Sequence, residues 1–182
     1  MTSSTPACDT TQKISLLFVC LGNICRSCTA EEVFRQLARR EGVDSHFEVD
    51  SAGLIDYHEG ELPDPRMRQH AARHGYHLTH RSRPVRKEDF DRFDLILAMD
   101  ETNRERLMKL APHRAAQLKI LPLSSFLTHH PNHFCIPDPY YGGAEGFELV
   151  IELLEDACDN LKNNLLHLPQ TEGGSPTAAP QR

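Results

Sequence analysis

Residues 14–19, ISLLFV, form a short, almost unbroken apolar run, the pattern of a strand buried on both faces. From Ser27 the period changes: Ala30, Val33, Phe34, Leu37 and Ala38 recur at helical spacing until Gly42 ends them. His46–Asp50 (HFEVD) alternates as a second strand does, and a loop with Gly53, Gly60 and Pro63 follows. Asp64-Pro65 pairs an N-cap with a first-turn proline and predicts a helix ending before Gly75. A short helical turn is expected at Lys87–Phe93, a third buried strand at Leu95–Met99 and a helix at Glu101–Leu110, closed by Ala111-Pro112. Gln117–Leu121 reads as a weaker fourth strand. Residues 122–143 then form a long loop rich in His and Pro. The last helix, about 145–167, carries Phe147, Val150, Ile151, Leu154, Leu161 and Leu165 on one side.

Strand and helix alternate throughout, which predicts a parallel sheet covered on both faces. The expected fold class is α/β: a three-layer doubly wound sandwich on a four-stranded parallel sheet, in the flavodoxin-like order 2-1-3-4. The division expected is a flexible extension at 1–12, a single domain at 13–168 and a disordered tail at 169–182, where PQTEGGSPTAAPQR offers no large apolar anchor.

Composition narrows the function. With 39% apolar and 25% charged residues the chain is an ordinary globular protein, and its net charge of −6 argues against a nucleic-acid partner. No run approaches the roughly 18 apolar residues of a membrane span, and MTSSTPACDTTQK lacks the apolar core of a secretory signal. The expected location is therefore cytoplasmic. Six cysteines at 8, 20, 25, 28, 135 and 158 need no disulfide framework in a chain of this size. A C-x2-C pair without a partner pair does not make a structural metal site, so no metal is expected.

Three of those thiols crowd into FVCLGNICRSC at the end of the first strand, where ligands sit in sheets of this kind. A lone Cys20 there would simply complete a core strand. Gly22 and Asn23, however, tolerate unusual backbone angles and let a loop curl its N–H groups inward as an anion nest. A helix starting near Arg26-Ser27 aims further free N–H groups at the same point, and Arg26 adds a planar fork for two phosphate oxygens. Residues 20–27 thus make a cradle for a tetrahedral dianion with Cys20 at its floor, where the same donors favour the nucleophilic thiolate. Attack on phosphorus would give a phosphocysteine. The proton for the leaving oxygen has a candidate in Asp138, within Asp138-Pro139-Tyr140-Tyr141-Gly142-Gly143.

These segments resemble the low-molecular-weight protein tyrosine phosphatases. The likeness rests on Val19-Cys20-Leu21-Gly22-Asn23-Ile24-Cys25-Arg26-Ser27, Ala30-Glu31, Ser51-Ala52-Gly53, Ala98-Met99-Asp100 and Asp138-Pro139-Tyr140-Tyr141-Gly142, in that order over roughly residues 14–167. It implies a protein tyrosine phosphatase with Cys20 as nucleophile, Arg26 as phosphate clamp and Asp138 as acid and then base. It also implies that Cys20, Leu21, Gly22, Asn23, Ile24, Cys25, Arg26 and Ser27 form the phosphate loop, supported by Asn23, Ser27, Ser51 and His80. Leu21, Ile24, Tyr57, Tyr140 and Tyr141 would line an aryl slot, Asp100 would orient a neighbour of the loop, and Cys25 would capture an oxidised Cys20 as a reversible disulfide. No cofactor is implied, and the partner would be a tyrosine-phosphorylated protein. Cys28 stands where the family usually has proline, which puts a third thiol near the helix start.

Three other readings compete. Thiol-dependent arsenate reductases share the loop but need a cysteine pair near the third strand, and residues 81–99 contain none. Protein arginine phosphatases tend to carry threonine where this chain has Ile24. A non-catalytic phosphate-binding or redox-sensing module would have no use for the distant acid.

Overall fold

The computed structural model describes residues 12–168. The strands are β1 (Ile14–Cys20), β2 (Phe47–Gly53), β3 (Leu95–Ala98) and β4 (Ile120–Pro122). The helices are α1 (Arg26–Arg40), α2 (Pro65–Arg73), α3 (Asp89–Arg92), α4 (Glu101–Leu110), α5 (Arg114–Gln117) and α6 (Ala144–His167). All strand pairs are parallel and the order is β2-β1-β3-β4, as the alternation of elements predicts. The expected extension at 1–12, apart from residue 12, and the expected tail at 169–182 lie outside the described residues.

β1 is central and buried on both faces. Leu16, Phe18 and Cys20 join the core under α1, α2 and α6, while Leu17 and Val19 join the one built with Phe90, Phe93 and Leu107 of α3, α4 and their flanks. Each such side chain contributes roughly 1.5–3 kcal/mol on burial. The run ISLLFV is apolar on both sides of its pleat because both sides meet helices.

Two strand boundaries lie three residues from those the sequence predicts, and the others that move do so by one. β2 continues through Ser51, Ala52 and Gly53, which pair with Phe18, Val19 and Cys20, so the motif Ser51-Ala52-Gly53 is sheet rather than loop. The polar-apolar alternation stops at Asp50 because both faces are covered from there on. At the other edge, Gln117 belongs to α5, whose first turn is capped by His113 Nδ1 accepting from Ala116 N at 3.1 Å, so β4 starts at Ile120. Residues 122–143 also hold a 3-10 turn at Leu123–Phe126.

The chain leaves β1 toward β2 on one side and returns to β3 on the other, so the strand order reverses beside β1. The crevice beyond the carboxyl ends of β1 and β3 is where this architecture holds ligands. Cys20 ends β1, and Asp100 follows β3 as the N-cap of α4, accepting from Asn103 N at 2.7 Å.

Candidate active site

Residues 20–26 wrap from the end of β1 into α1. Asn23 has φ 57° and, among the described residues, is the only non-glycine in the left-handed region. It turns the loop so that its own N–H points at Cys20 Sγ, 3.3 Å away. Gly22 does not share this conformation, contrary to the sequence reading. It is small for another reason: a Cβ there would lie 3.3 Å from Cδ2 of His58. α1 starts at Arg26 with no side chain capping it, which leaves its first N–H groups free to face the loop.

The loop's side chains form one network. Asn23 Nδ2 donates to Ser27 Oγ at 2.8 Å and to Ser51 Oγ at 3.0 Å. Ser27 Oγ, already accepting, has its nearest acceptor in Cys20 Sγ at 3.1 Å. Asn23 Oδ1 accepts from His80 Nε2 and from Arg83 N, both at 3.0 Å. Ser51 Oγ donates to Glu31 Oε2 at 2.6 Å, and His80 Nδ1 lies 3.0 Å from the same oxygen. The four supporting residues expected from the sequence, Asn23, Ser27, Ser51 and His80, are thus joined, with Cys20 at one end. Glu31 closes the other end, and the sequence reading gave it no role.

Arg26 is buried with its guanidinium fixed at three points: Nη1 donates to Asp100 Oδ2 at 2.6 Å and to Ile136 O at 3.1 Å, and Nη2 to Asp138 Oδ2 at 3.2 Å. Burial opposes its charge, but the neighbouring Cys20, Asp100 and Asp138 outweigh this and raise its pKa, so it is always a cation. Asp138 also accepts from Tyr140 N through Oδ1 at 3.1 Å and remains part-exposed. Asp100, expected to orient a neighbour of the loop, touches the loop's arginine directly.

One pocket is lined by Cys20, Arg26 and Asp138 at its base and by Leu21, Ile24, Tyr57, Tyr140 and Tyr141 at its walls. All five expected slot residues are therefore brought together. The Tyr140 and Tyr141 rings meet edge to face, with centroids 4.9 Å apart. Ile55 and His58 join the lining unannounced by any sequence signal; His58 Nδ1 is held by Glu61 Oε2 at 2.7 Å.

The neighbouring thiols differ from Cys20. Cys25 is buried, and desolvation, followed by the negative charges of Asp64, Cys20 and Asp138, raises its pKa far above the ordinary thiol value. Cys28 is buried beneath the loop with Sγ donating to Cys25 O at 3.5 Å, and desolvation raises it likewise. Both are neutral thiols, and Cys28 sits in the first turn of α1, which starts at Arg26.

Among the described residues, only Glu31, Asp50 and His80 come close enough to hold a metal ion together. Their ligand atoms are already engaged: His80 on Glu31, and Arg83 Nη2 on Asp50 Oδ2 at 2.9 Å. They form an ion-pair network. Among the described residues no helix is long and apolar enough to cross a membrane.

A family profile for low molecular weight phosphotyrosine protein phosphatase matches residues 15–169. The chain belongs to that family. Among its relatives, the low molecular weight protein-tyrosine-phosphatase of Streptomyces coelicolor is 42% identical over 145 residues, 79% of this chain and 88% of that protein. The crystal structure of a protein tyrosine phosphatase from Entamoeba histolytica, with Hepes in its active site, is 44% identical with a TM-score of 0.82, covering 85% of this chain and 97% of that one. An arginine phosphatase, YwlE, solved as a mutant with a phosphorylated active-site serine, is similar at 25% identity and a TM-score of 0.75, over 87% of this chain and 100% of that one. The protein is a phosphatase of the low-molecular-weight class, built on the α/β sandwich of its relatives.

Proposed function

We propose that the enzyme hydrolyses phosphotyrosine in protein substrates through a phosphocysteine formed on Cys20. The observation that carries the reading is the convergence of Cys20, Arg26 and Asp138 on one pocket whose walls are aromatic and aliphatic. The phosphoryl oxygens lie against the loop N–H groups and the Arg26 fork, as the transition state requires. The Cys20 thiolate, held by Asn23 N–H and Ser27 Oγ, attacks phosphorus as the phenolic oxygen departs with the proton of Asp138. Asp138, now a carboxylate, takes a proton from water, whose oxygen displaces sulfur and releases inorganic phosphate. A thiolate, a guanidinium and a carboxyl complete the cycle.

The aryl group fits between the walls formed by Leu21, Ile24, Tyr57, Tyr140 and Tyr141. An apolar Ile24 favours a ring over the polar guanidinium of phosphoarginine. Peroxide converts the Cys20 thiolate to a sulfenic acid; the Cys25 thiol then displaces hydroxide, forming the disulfide and water. A neutral, buried Cys25 stays inert until that moment. The substrate is a tyrosine-phosphorylated protein.

Reduced enzyme assayed on matched phosphotyrosine and phosphoarginine peptides, and on arsenate with thiol, tests the reading. Phosphotyrosine turnover well above the other two is expected. Preference for phosphoarginine would overturn the aryl slot, and arsenate reduction would overturn the phosphatase chemistry.

A further inference from the structure

Arg66 stands in the first turn of α2 and lines no part of the phosphate cradle. Its guanidinium nevertheless lies over two aromatic rings, 5.3 Å from the centroid of Tyr140 in the acid-bearing loop and 5.1 Å from that of Phe147 in α6. Both distances are those of cation–π contacts. Asp64 fixes the guanidinium from below, accepting from Arg66 Nε at 3.1 Å and from Nη2 at 2.8 Å. Asp64 in turn is tied to the phosphate loop, because its backbone N–H donates to Ile24 O at 2.8 Å. On the far side, Tyr140 N donates to Asp138 Oδ1.

An unbroken chain of contacts therefore runs from the phosphate loop through Asp64, Arg66 and Tyr140 to Asp138. An exposed Asp-Arg pair two residues apart contributes little by itself. Here the pair has a buried base, since Asp64 and Phe147 are both buried, and a ring of the acid loop resting on it. Tyr141 next door is almost fully exposed. Tyr140 thus rests on a cation that Asp64 ties to the phosphate loop.

We infer that Arg66 is a positioning residue for the general acid, holding Tyr140, and through it Asp138, in register with the phosphate loop. The inference rests on the proposed role of Asp138. Loss of Arg66 leaves Cys20, Arg26 and their donors in place, so phosphate binding and nucleophilic attack persist. Protonation of the leaving oxygen becomes less effective. The defect therefore falls on substrates whose leaving group needs a proton.

The test is kcat/KM for aryl phosphates of graded leaving-group acidity, measured in wild type, Arg66→Met, Arg66→Lys, Asp138→Ala and the double variant Arg66→Met/Asp138→Ala. Arg66→Met is expected to lose about ten-fold on phosphotyrosine and under about two-fold on strongly acidic phenols, a fraction of what a general acid supplies. Arg66→Lys, which keeps a cation over the rings, recovers most of the loss. In the Asp138→Ala background Arg66→Met costs almost nothing more, because both act on one step. The inhibition constant of inorganic phosphate stays unchanged. An equal loss on every substrate, or losses that add in the double variant, would overturn the inference. Unaltered leaving-group dependence in Asp138→Ala would remove the acid assignment itself, and the inference with it. Arg66→Gln gives the same comparison if the methionine variant does not fold.

Discussion

A methyl group added to Gly53 would lie 3.0 Å from the carbonyl oxygen of Leu21 and 3.1 Å from the carbonyl carbon of Gly22. Both are backbone of the loop between β1 and α1, so relief requires that loop to move. Gly53→Ala is expected to cost about 1–3 kcal/mol of stability, the range for overpacking. It should also weaken inhibition by inorganic phosphate. Gly143→Ala, where nothing lies within 4 Å, serves as the comparison and leaves phosphate inhibition as it was. Equal inhibition constants in Gly53→Ala and wild type would show that β2 does not shape the loop. Around the phosphate loop glycine has one use, to admit close neighbours. Gly53 and Gly22 admit close neighbours, while the left-handed turn is left to Asn23, whose side chain then becomes the hub of the supporting network.

At the scale of elements, residues 128–130 of the long connection from β4 to α6 are clasped by one buried carboxylate. Asp156 of α6 accepts from Thr128 N at 3.0 Å, Thr128 Oγ1 at 2.8 Å and His129 N at 2.9 Å, with His129 Nδ1 and His130 Nδ1 also within 3.1 Å. Burial pushes the Asp156 carboxyl up, but the hydrogen bonds of His130, Thr128 and His129 outweigh it and hold it far below the ordinary range. Because the folded value is the lower one, this stabilisation is complete above the unfolded aspartate value of about 3.9 and is lost as pH falls through the folded value. Asp156→Asn should therefore cost about 2–4 kcal/mol at neutral pH, with the gap to wild type closing in strong acid. Thermal unfolding across pH checks this; a gap independent of pH would contradict it. This clasp was not legible in the sequence, since one Asp among the acidic residues of a helix and a run of His in a loop look like solvated surface. The start of the edge strand was hidden for a related reason. Gln117–Leu121 reads as strand by its alternation, yet the His113 cap draws Gln117 into α5. The central elements were legible because their pattern follows from burial on both sheet faces.

At the scale of the molecule, sheet order performs the assembly. Arg26 and Asp138 are 112 positions apart and meet because β1 and β3 end beside the reversal of strand order, with Ile136 N bonded to Met99 O at 2.8 Å. The cradle was readable from sequence because its parts are local: Cys20, the turn at Asn23 and Arg26 share one short stretch. Glu31, His58 and Arg66 were not, since each acts through contacts that exist only once helices, loops and strands are packed. The central claim, that Cys20 carries the phosphoryl group in transit, is tested most directly by trapping. Reduced enzyme is mixed with a phosphotyrosine peptide, quenched within the first turnover and digested for mass analysis, beside Cys20→Ser. The account predicts one phosphoryl group on the peptide containing Cys20, bound through sulfur in the wild type, and no release of inorganic phosphate by Cys20→Ser. Phosphate release that survives in Cys20→Ser, or a phosphoryl group found on any residue other than Cys20 in the wild type, would contradict it.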